Sequence, residues 1–337
     1  MSLIEKIFQR KAAPSCQFSI VVVAYDMARE LPRTLQSLSR EYQRDCEHID
    51  YEVLVVDNGS PEPVSESMVN SHGKEFRLLH IKDALPSPGD AINRAVMSAR
   101  GSHVGIIVDG ARMLSPGVIH WAWQAFRLKQ RCVTSVLGFH LGPQHQSDSS
   151  QAGYDQTSED KLLQRIRWPE DGYRLFEIAA LAGSSRYAWQ GPIAESNCIF
   201  MPRVLFDEIG GYDTRFASSG GGLINLDFYK RACEAGDVDL VYLAGEGCFH
   251  QIHGGVTTGG SEERAVQRYD NLHHEYLNIR GEEFKAPRNT PILLGYSKPT
   301  ASYLAREGAI TMVNKIGLEQ GRNSHMKAAG LDNSNGE

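Results

Sequence analysis

The sequence predicts an α/β fold, with a mostly parallel central sheet flanked by helices in a single large domain. Three observations predict it. Continuous apolar, β-branched runs recur at residues 18–24 (FSIVVVA), 51–56 (YEVLVV) and 104–108 (VGIIV), and such runs read as strands buried on both faces. Helical patterns separate them, an alternation that calls for parallel strands joined by right-handed crossovers. The runs also lead into carboxylates, at Asp26, Asp57 and Asp109. Open α/β sheets bind ligands at the carboxyl ends of their strands.

The elements follow in order. After the strand at 18–24, residues 30–42 carry Leu31, Leu35, Leu38 and Tyr42 at helical spacing, with Pro32 in the first turn. The strand at 51–56 runs into Asp57-Asn58-Gly59-Ser60, a short helix is expected over 64–70, and a strand over 76–81. Pro88-Gly89 opens a helix with Ala91, Ile92, Ala95 and Val96 on one side, closed by Arg100 and Gly101. The strand at 104–108 precedes an aromatic-rich helix over 116–129 and a strand over 132–139. Residues 144–159, rich in Ser, Gln and Asp, read as a mobile loop. Helices are expected over 160–168 and 173–181, a strand over 196–201, and a short helix over 203–209. Residues 217–222 (ASSGGG) read as a flexible turn able to serve as a lid. A helix over 225–235, a final strand over 238–243, a loop GEGCFHQIHGG and a helix over 262–280 follow. Patterning weakens after Pro287, and 333–337 read as disordered.

Composition narrows the function classes. The 337 residues are 41% hydrophobic, enough for a sizeable core, and the formal charge of -6 leaves no basic footprint for nucleic acid. No apolar run approaches the roughly 20 residues that span a bilayer, and the start lacks an apolar signal segment. The six cysteines are scattered without a CxxC pair, which suits reduced thiols in a cytoplasmic protein. Residues 1–12 read as a frayed terminal helix, with peripheral membrane contact as the alternative. Homo-oligomer formation stays open. No GxGxxG follows the first strand, and no GxxxxGK[ST] is present, so neither dinucleotide binding nor P-loop chemistry is expected. The strand ends are suited to a nucleotide base and ribose; the plainer alternative is that they are turn residues.

In their order and spacing, VVVAYD, EVLVVDNGS, GDAINRAVMSARG and VGIIVDGA resemble the nucleotide-sugar half of the family-2 glycosyltransferases of the GT-A fold. Downstream, SNCIFMPRVLFDEIGGYDTRF and NLDFYKRACEAG resemble the acceptor half. The resemblance covers roughly residues 18 to 255. It implies a Rossmann-like GT-A domain divided into an N-terminal extension (1–16), a nucleotide-sugar half (17–140), an acceptor half (141–285) and a C-terminal extension (286–337). It implies a nucleoside-diphosphate sugar as donor and a carbohydrate hydroxyl, on a polysaccharide or small glycoside, as acceptor.

The same resemblance places the site residues. Ala24, Tyr25 and Asp57 would line the nucleoside pocket, and Asn93 and Arg94 would contact the donor. Asp109, followed by Gly110, matches the first carboxylate of the family's DxD motif. Ala111 stands where the second would be, so an acid introduced at 111 is expected to be tolerated or helpful. Arg112 could pair with phosphate instead. His250 and His253 would join Asp109 around a divalent metal, Mn²⁺ or Mg²⁺, with imidazole favouring Mn²⁺ or Co²⁺. Ile224-Asn225 stand where the family carries the acidic pair of its general base. The candidates for that role are therefore Asp227 and Glu195, with Glu246 a third. Tyr212, Phe216 and Trp189 are candidates for an acceptor wall. Inverting and retaining mechanisms both stay open. The rival readings are a non-catalytic nucleotide-sugar-binding or scaffolding protein with a degenerate site and, lower, a nucleotidyltransferase.

Overall fold

In the computed structural model, which describes residues 15–144, 146–253, 262–304 and 306–315, β1 (Cys16–Ala24) lies between two parallel partners. These are β2 (Tyr51–Asp57) and β4 (Gly101–Ile107). β3 (Phe76–His80) extends the parallel set beyond β2. The helices α1 (Leu31–Gln36), α2 (Glu66–Asn70) and α3 (Gly89–Ser98) are the crossovers. The terminal helix considered for 1–12 and the tail at 333–337 lie outside the described residues.

The second half of the sheet is mixed. After the short β5 (Arg112–Leu114) and α4 (Val118–Leu128) come β6 (Cys132–Leu141), β7 (Ala179–Leu181), β8 (Cys198–Pro202), β9 (Asp239–His250) and β10 (Ile292–Gly295). Among the described residues the sheet order is β10-β9-β6-β8-β4-β1-β2-β3, with β5 on β9 and β7 on β6. β8 enters antiparallel between β4 and β6, whereas β6, β9 and β10 run parallel to one another. Alternation along β1 sends Val21 and Val23 to one core and Ile20, Val22 and Ala24 to the other. Both faces are covered, so the strand reads as one apolar run rather than an alternating one.

Several expected boundaries differ. Residues 144–159 are not a loop: α5 (Gln146–Gln151) and α6 (Gln156–Arg165) occupy most of this stretch. Asp155 caps α6 by accepting from the Ser158 amide, and Glu159 is fully buried, so a polar composition conceals an anchored helix. Residues 172–178 form a 3-10 turn rather than an α-helix and lead into β7, and the short helix after β8 is α7 (Arg203–Glu208). The helix expected over 30–42 closes after Gln36. The strand expected to stop at 243 continues to His250, and β10 follows it.

Glycine and polar residues in β9 hide that continuation. The pairing of β9 with β6 slips between Ser135 and Leu137, and the residues left out of register include Gly245, at φ +84°. Only glycine adopts that conformation freely, and a side chain there would strike the Tyr296 carbonyl. The irregularity turns Glu246 into the core, where its carboxylate accepts from the Ser115 and Tyr173 hydroxyls and the Gly117 amide. Among the described residues, no helix is long and apolar enough to cross a membrane. The six cysteines are free thiols.

Burial pushes the Glu246 carboxyl up to about 7, against the pull of those three donors. The folded chain then holds this proton more tightly than the unfolded chain. The group's contribution to stability is complete below about pH 4.5 and is lost as pH rises through about 7. Relative to Glu246→Gln, the wild type should lose on the order of 3 kcal/mol between those limits. Denaturant melts of both proteins across that range check this; a difference that does not change with pH would contradict it.

Candidate active site

The parallel register sets the edge. Ala24 is level with Asp57, Asp57 with His80, and Val22 with Ile107, so β1, β2 and β4 end together. Ala24 is buried, and its carbonyl accepts from the Asn58 amide at 2.9 Å. Tyr25 is 54% exposed beyond it. The Asp57 carboxylate accepts from the Ser60 and Val64 amides at 2.9 and 3.0 Å and lies 3.1 Å from His80 Nδ1. Burial opposes its ionisation, but the Ser60, Val64 and His80 contacts prevail and hold its pKa below the usual value. An ionised carboxylate thus folds the loop after β2 around itself.

Asp109 lies just past β4. Gly110 packs so tightly that a Cβ there would sit 3.2 Å from the Ala24 Cβ and the Leu31 side chain, and the Thr34 hydroxyl donates to its carbonyl at 2.7 Å. Asp109 Oδ1 accepts from the Ala111 amide at 2.9 Å, and Oδ2 from Arg112 Nε at 2.8 Å. β5 then pairs Arg112 with His250 on β9, and β6 pairs His140 with His250 from the other side. His250 Nε2 is 3.8 Å from Asp109 Oδ2 and 3.0 Å from His253 Nε2.

The electrostatics of the cluster are lopsided. Burial disfavours an ionised Asp109, but Arg112, then His250 and His253, overcome it and hold the carboxyl well below its usual range. Burial and the Arg112 charge push His250 well below its usual value, so it is a neutral imidazole with a lone pair to offer. Ligand atoms of Asp109, His250 and His253 lie within 4.8 Å of one another. Two imidazoles bound to one ion at about 2.1 Å and at right angles keep their nitrogens about 3.0 Å apart. The observed spacing therefore fits a shared divalent cation.

Other expected contacts fall elsewhere. Asn93 is not free for a donor: its amide clamps the backbone of Tyr212, donating to the carbonyl at 2.8 Å and accepting from the N–H at 2.9 Å. Arg94 is turned away on the exposed face of α3, paired with Asp83 and Asp90. Asp227, on α8 (Ile224–Cys233), is buried, and both its oxygens are taken by Arg280 at 2.6 and 2.7 Å and by Arg231 at 2.8 Å. A carboxylate so sequestered ties α8 to α9 (Glu262–Arg280) and is not placed to receive a proton from an acceptor. Glu246 is enclosed in the core. Phe216 packs on Tyr276, and Trp189 is buried, so neither forms an acceptor wall. The turn at 217–222 is tied down, with the Ala217 and Ser218 amides on Glu275 and the Gly220 amide on Pro86.

Glu195 is different. It is half-buried in the loop before β8 and accepts from Asn225 Nδ2 at 2.9 Å. β8 begins with Cys198 level with Ile107, and the Val108 amide donates to the Asn197 carbonyl at 3.4 Å, so the loop that carries Glu195 lies at the edge where β4 ends. His140 and the Glu159 cluster were not singled out by sequence reasoning. The His140 ring is 5.7 Å from that of His250. Glu159 accepts from the Ile252 amide at 2.7 Å and from Arg29, fixing the backbone between the two cluster histidines. The available signals were a histidine at the end of an apolar strand and two arginines four apart, Arg29 in the turn before α1 and Arg33 on it.

Residues 19–110, the segment that builds this edge, match the model of glycosyl transferase family 2. The match is confined to that segment, and over it the chain is similar to the family-2 glycosyltransferases. No curated protein is matched by its sequence. Among solved structures, S. aureus TarS 1-349 is similar at 14% identity and a TM-score of 0.46, over 78% of this chain and 66% of that one. The same TarS region in complex with UDP-GlcNAc is similar at 15% identity and a TM-score of 0.47, over 78% and 67%. The chain thus spans about two thirds of TarS 1-349, and 40% of the longer TarS structure. Position 111, expected to stand at the second place of the DxD motif, does not face the site edge. Ala111 is fully buried, and its amide is used by Asp109.

Ala111→Asp should therefore destabilise the fold by about 2 kcal/mol or more, since it buries a carboxylate without a partner. It should bring no gain in cation-dependent ligand binding. Thermal melts and cation titrations check both; a stable variant with tighter cation binding would overturn the placement of this side chain.

Proposed function

We propose that the chain transfers a sugar from a nucleoside-diphosphate sugar to a carbohydrate hydroxyl, with Glu195 as general base. The observation that carries this reading is the convergence of Asp109, His250 and His253 at the edge where β1, β2 and β4 end, within and beside the family-2 segment. Ala24, Tyr25 and Asp57 form the nucleoside side of that edge. Asp109, His250 and His253 would hold a divalent cation, Mn²⁺ in preference to Mg²⁺ given the two imidazoles, which would neutralise the leaving diphosphate.

The remaining roles belong to side chains of the chain itself. Arg112 uses Nε on Asp109, and among the described residues its Nη atoms have no hydrogen-bond partner, so they are available to a phosphate oxygen. Glu195 takes the proton of the acceptor hydroxyl. The acceptor oxygen bonds to the anomeric carbon as the bond from that carbon to the diphosphate breaks, and its electrons leave with the diphosphate. A single base carboxylate on the acceptor side goes with inversion at the anomeric carbon. A bacterial surface polysaccharide or a small glycoside is the acceptor class proposed.

The test is incubation with UDP- and GDP-sugars, simple glycosides and Mn²⁺, following nucleoside-diphosphate release and product anomer. Release that a chelator abolishes, with an inverted product, is expected. Nucleotide binding without release from any donor would instead leave a non-catalytic nucleotide-sugar-binding protein. Asp109→Asn should abolish cation-dependent donor binding in calorimetric titrations, and unchanged cation dependence would remove Asp109 from the site. Glu195→Gln should lower turnover about 100-fold or more with donor affinity retained. A retained anomeric configuration would overturn the base assignment.

A further inference from the structure

We infer that Asn225 is the positioning residue for Glu195, the amide and the acid having exchanged places between α8 and the loop before β8. The inference rests on the reading of Glu195 as the base. It answers why an asparagine stands where the resemblance implies an acid.

The hydrogen bonds fix which way the amide points. Asn225 Nδ2 faces three acceptors: Glu195 Oε2 at 2.9 Å, the Ser196 carbonyl at 3.3 Å and Asn197 Oδ1 at 3.3 Å. Its Oδ1 accepts from the Tyr212 hydroxyl at 3.2 Å. Flipped, the amide would set its oxygen against a carboxylate and a carbonyl, so only the observed orientation satisfies the set. An acid at 225 would do the same, placing a second negative charge beside Glu195. An alanine would leave Tyr212 and Glu195 without their shared partner.

The support behind Asn225 is rigid. Tyr212 stacks on Phe228 with ring centroids 4.0 Å apart at 14°, and its backbone is held on both polar atoms by Asn93 of α3. A continuous path therefore runs from α3 in the nucleotide half, through Tyr212 and the start of α8, to the Glu195 carboxylate. Arg112 on β5, Cys248 on β9 and Tyr212 are among the titratable groups that feel the Glu195 charge. Arg112 is the one cation among these three. The Asn225 amide holds the carboxylate through a hydrogen bond without taking its proton. The carboxylate that does belong to α8, Asp227, is bound by two arginines and is structural.

The test compares Asn225→Ala and the near-isosteric Asn225→Asp with the full-length wild type, in the transfer assay above and in melts. Asn225→Ala should lower kcat about ten- to a hundred-fold, with the donor KM within about two-fold. Asn225→Asp should move the acid limb of the pH–rate profile up by about one unit or more, because two carboxylates share one site. A merely structural residue would lower stability without moving that limb. An unmoved limb in Asn225→Asp, or a wild-type kcat in Asn225→Ala, overturns the inference. If the wild type releases no nucleoside diphosphate, the transferase reading fails separately. The positioning role is then read from the ¹³C carboxyl titration of Glu195: its midpoint should rise in Asn225→Asp, and an unmoved midpoint overturns it.

Discussion

The parallel pairing of β1 on both sides is the constraint from which the site follows. It brings three strand ends to one edge, and backbone packing then fixes the turn that carries Asp109. Gly110 fits against Ala24 and Leu31 because it has no side chain, and Thr34 holds its carbonyl. Asp109 is therefore placed by its neighbours before it makes any contact of its own. β5 leaves that turn and finds β9 antiparallel, with Arg112 level with His250. The histidine reaches the carboxylate across a chain separation of 141 residues by this one short pairing.

Burial gives the cluster its character. Removing a carboxylate from water is costly unless it is paired and hydrogen-bonded. Asp109 meets that condition through the Ala111 amide and Arg112, and stays charged. His250, beside the same arginine, is driven the other way and stays neutral. A negative ligand, a neutral imidazole and an arginine with spare donors are thus held side by side. The Glu159 anchor on Ile252 keeps the backbone between the two histidines in place.

Much of this was legible in the sequence, and the parts that were not share a cause. The buried strands of the first half were readable because strands covered on both faces are uniformly apolar. The second half was harder. β9 carries glycines and a buried glutamate, and α6 is held by a buried Glu159, so polarity misled in both places. Strand ends at Ala24, Asp57 and Asp109 were found because their spacing repeats. Asn93 and Arg94 were misjudged because helix periodicity gives a face but not what that face meets. Here it meets Tyr212 on one side and Asp83 and Asp90 on the other.

The contrast between Asp227 and Glu195 carries the same lesson into the chemistry. One carboxylate lies near the start of α8 and the other just before β8, and residue type alone does not separate them. Asp227 has three charged hydrogen bonds from two arginines, and each such bond occupies a lone pair that a proton would need. Glu195 has one neutral amide donor, and among the described residues no ion pair holds it. An amide orients a carboxylate without neutralising it. That leaves oxygen lone pairs free to accept a proton. On the proposed reading, the asparagine that looked like the loss of a catalytic acid is what allows a different acid to serve.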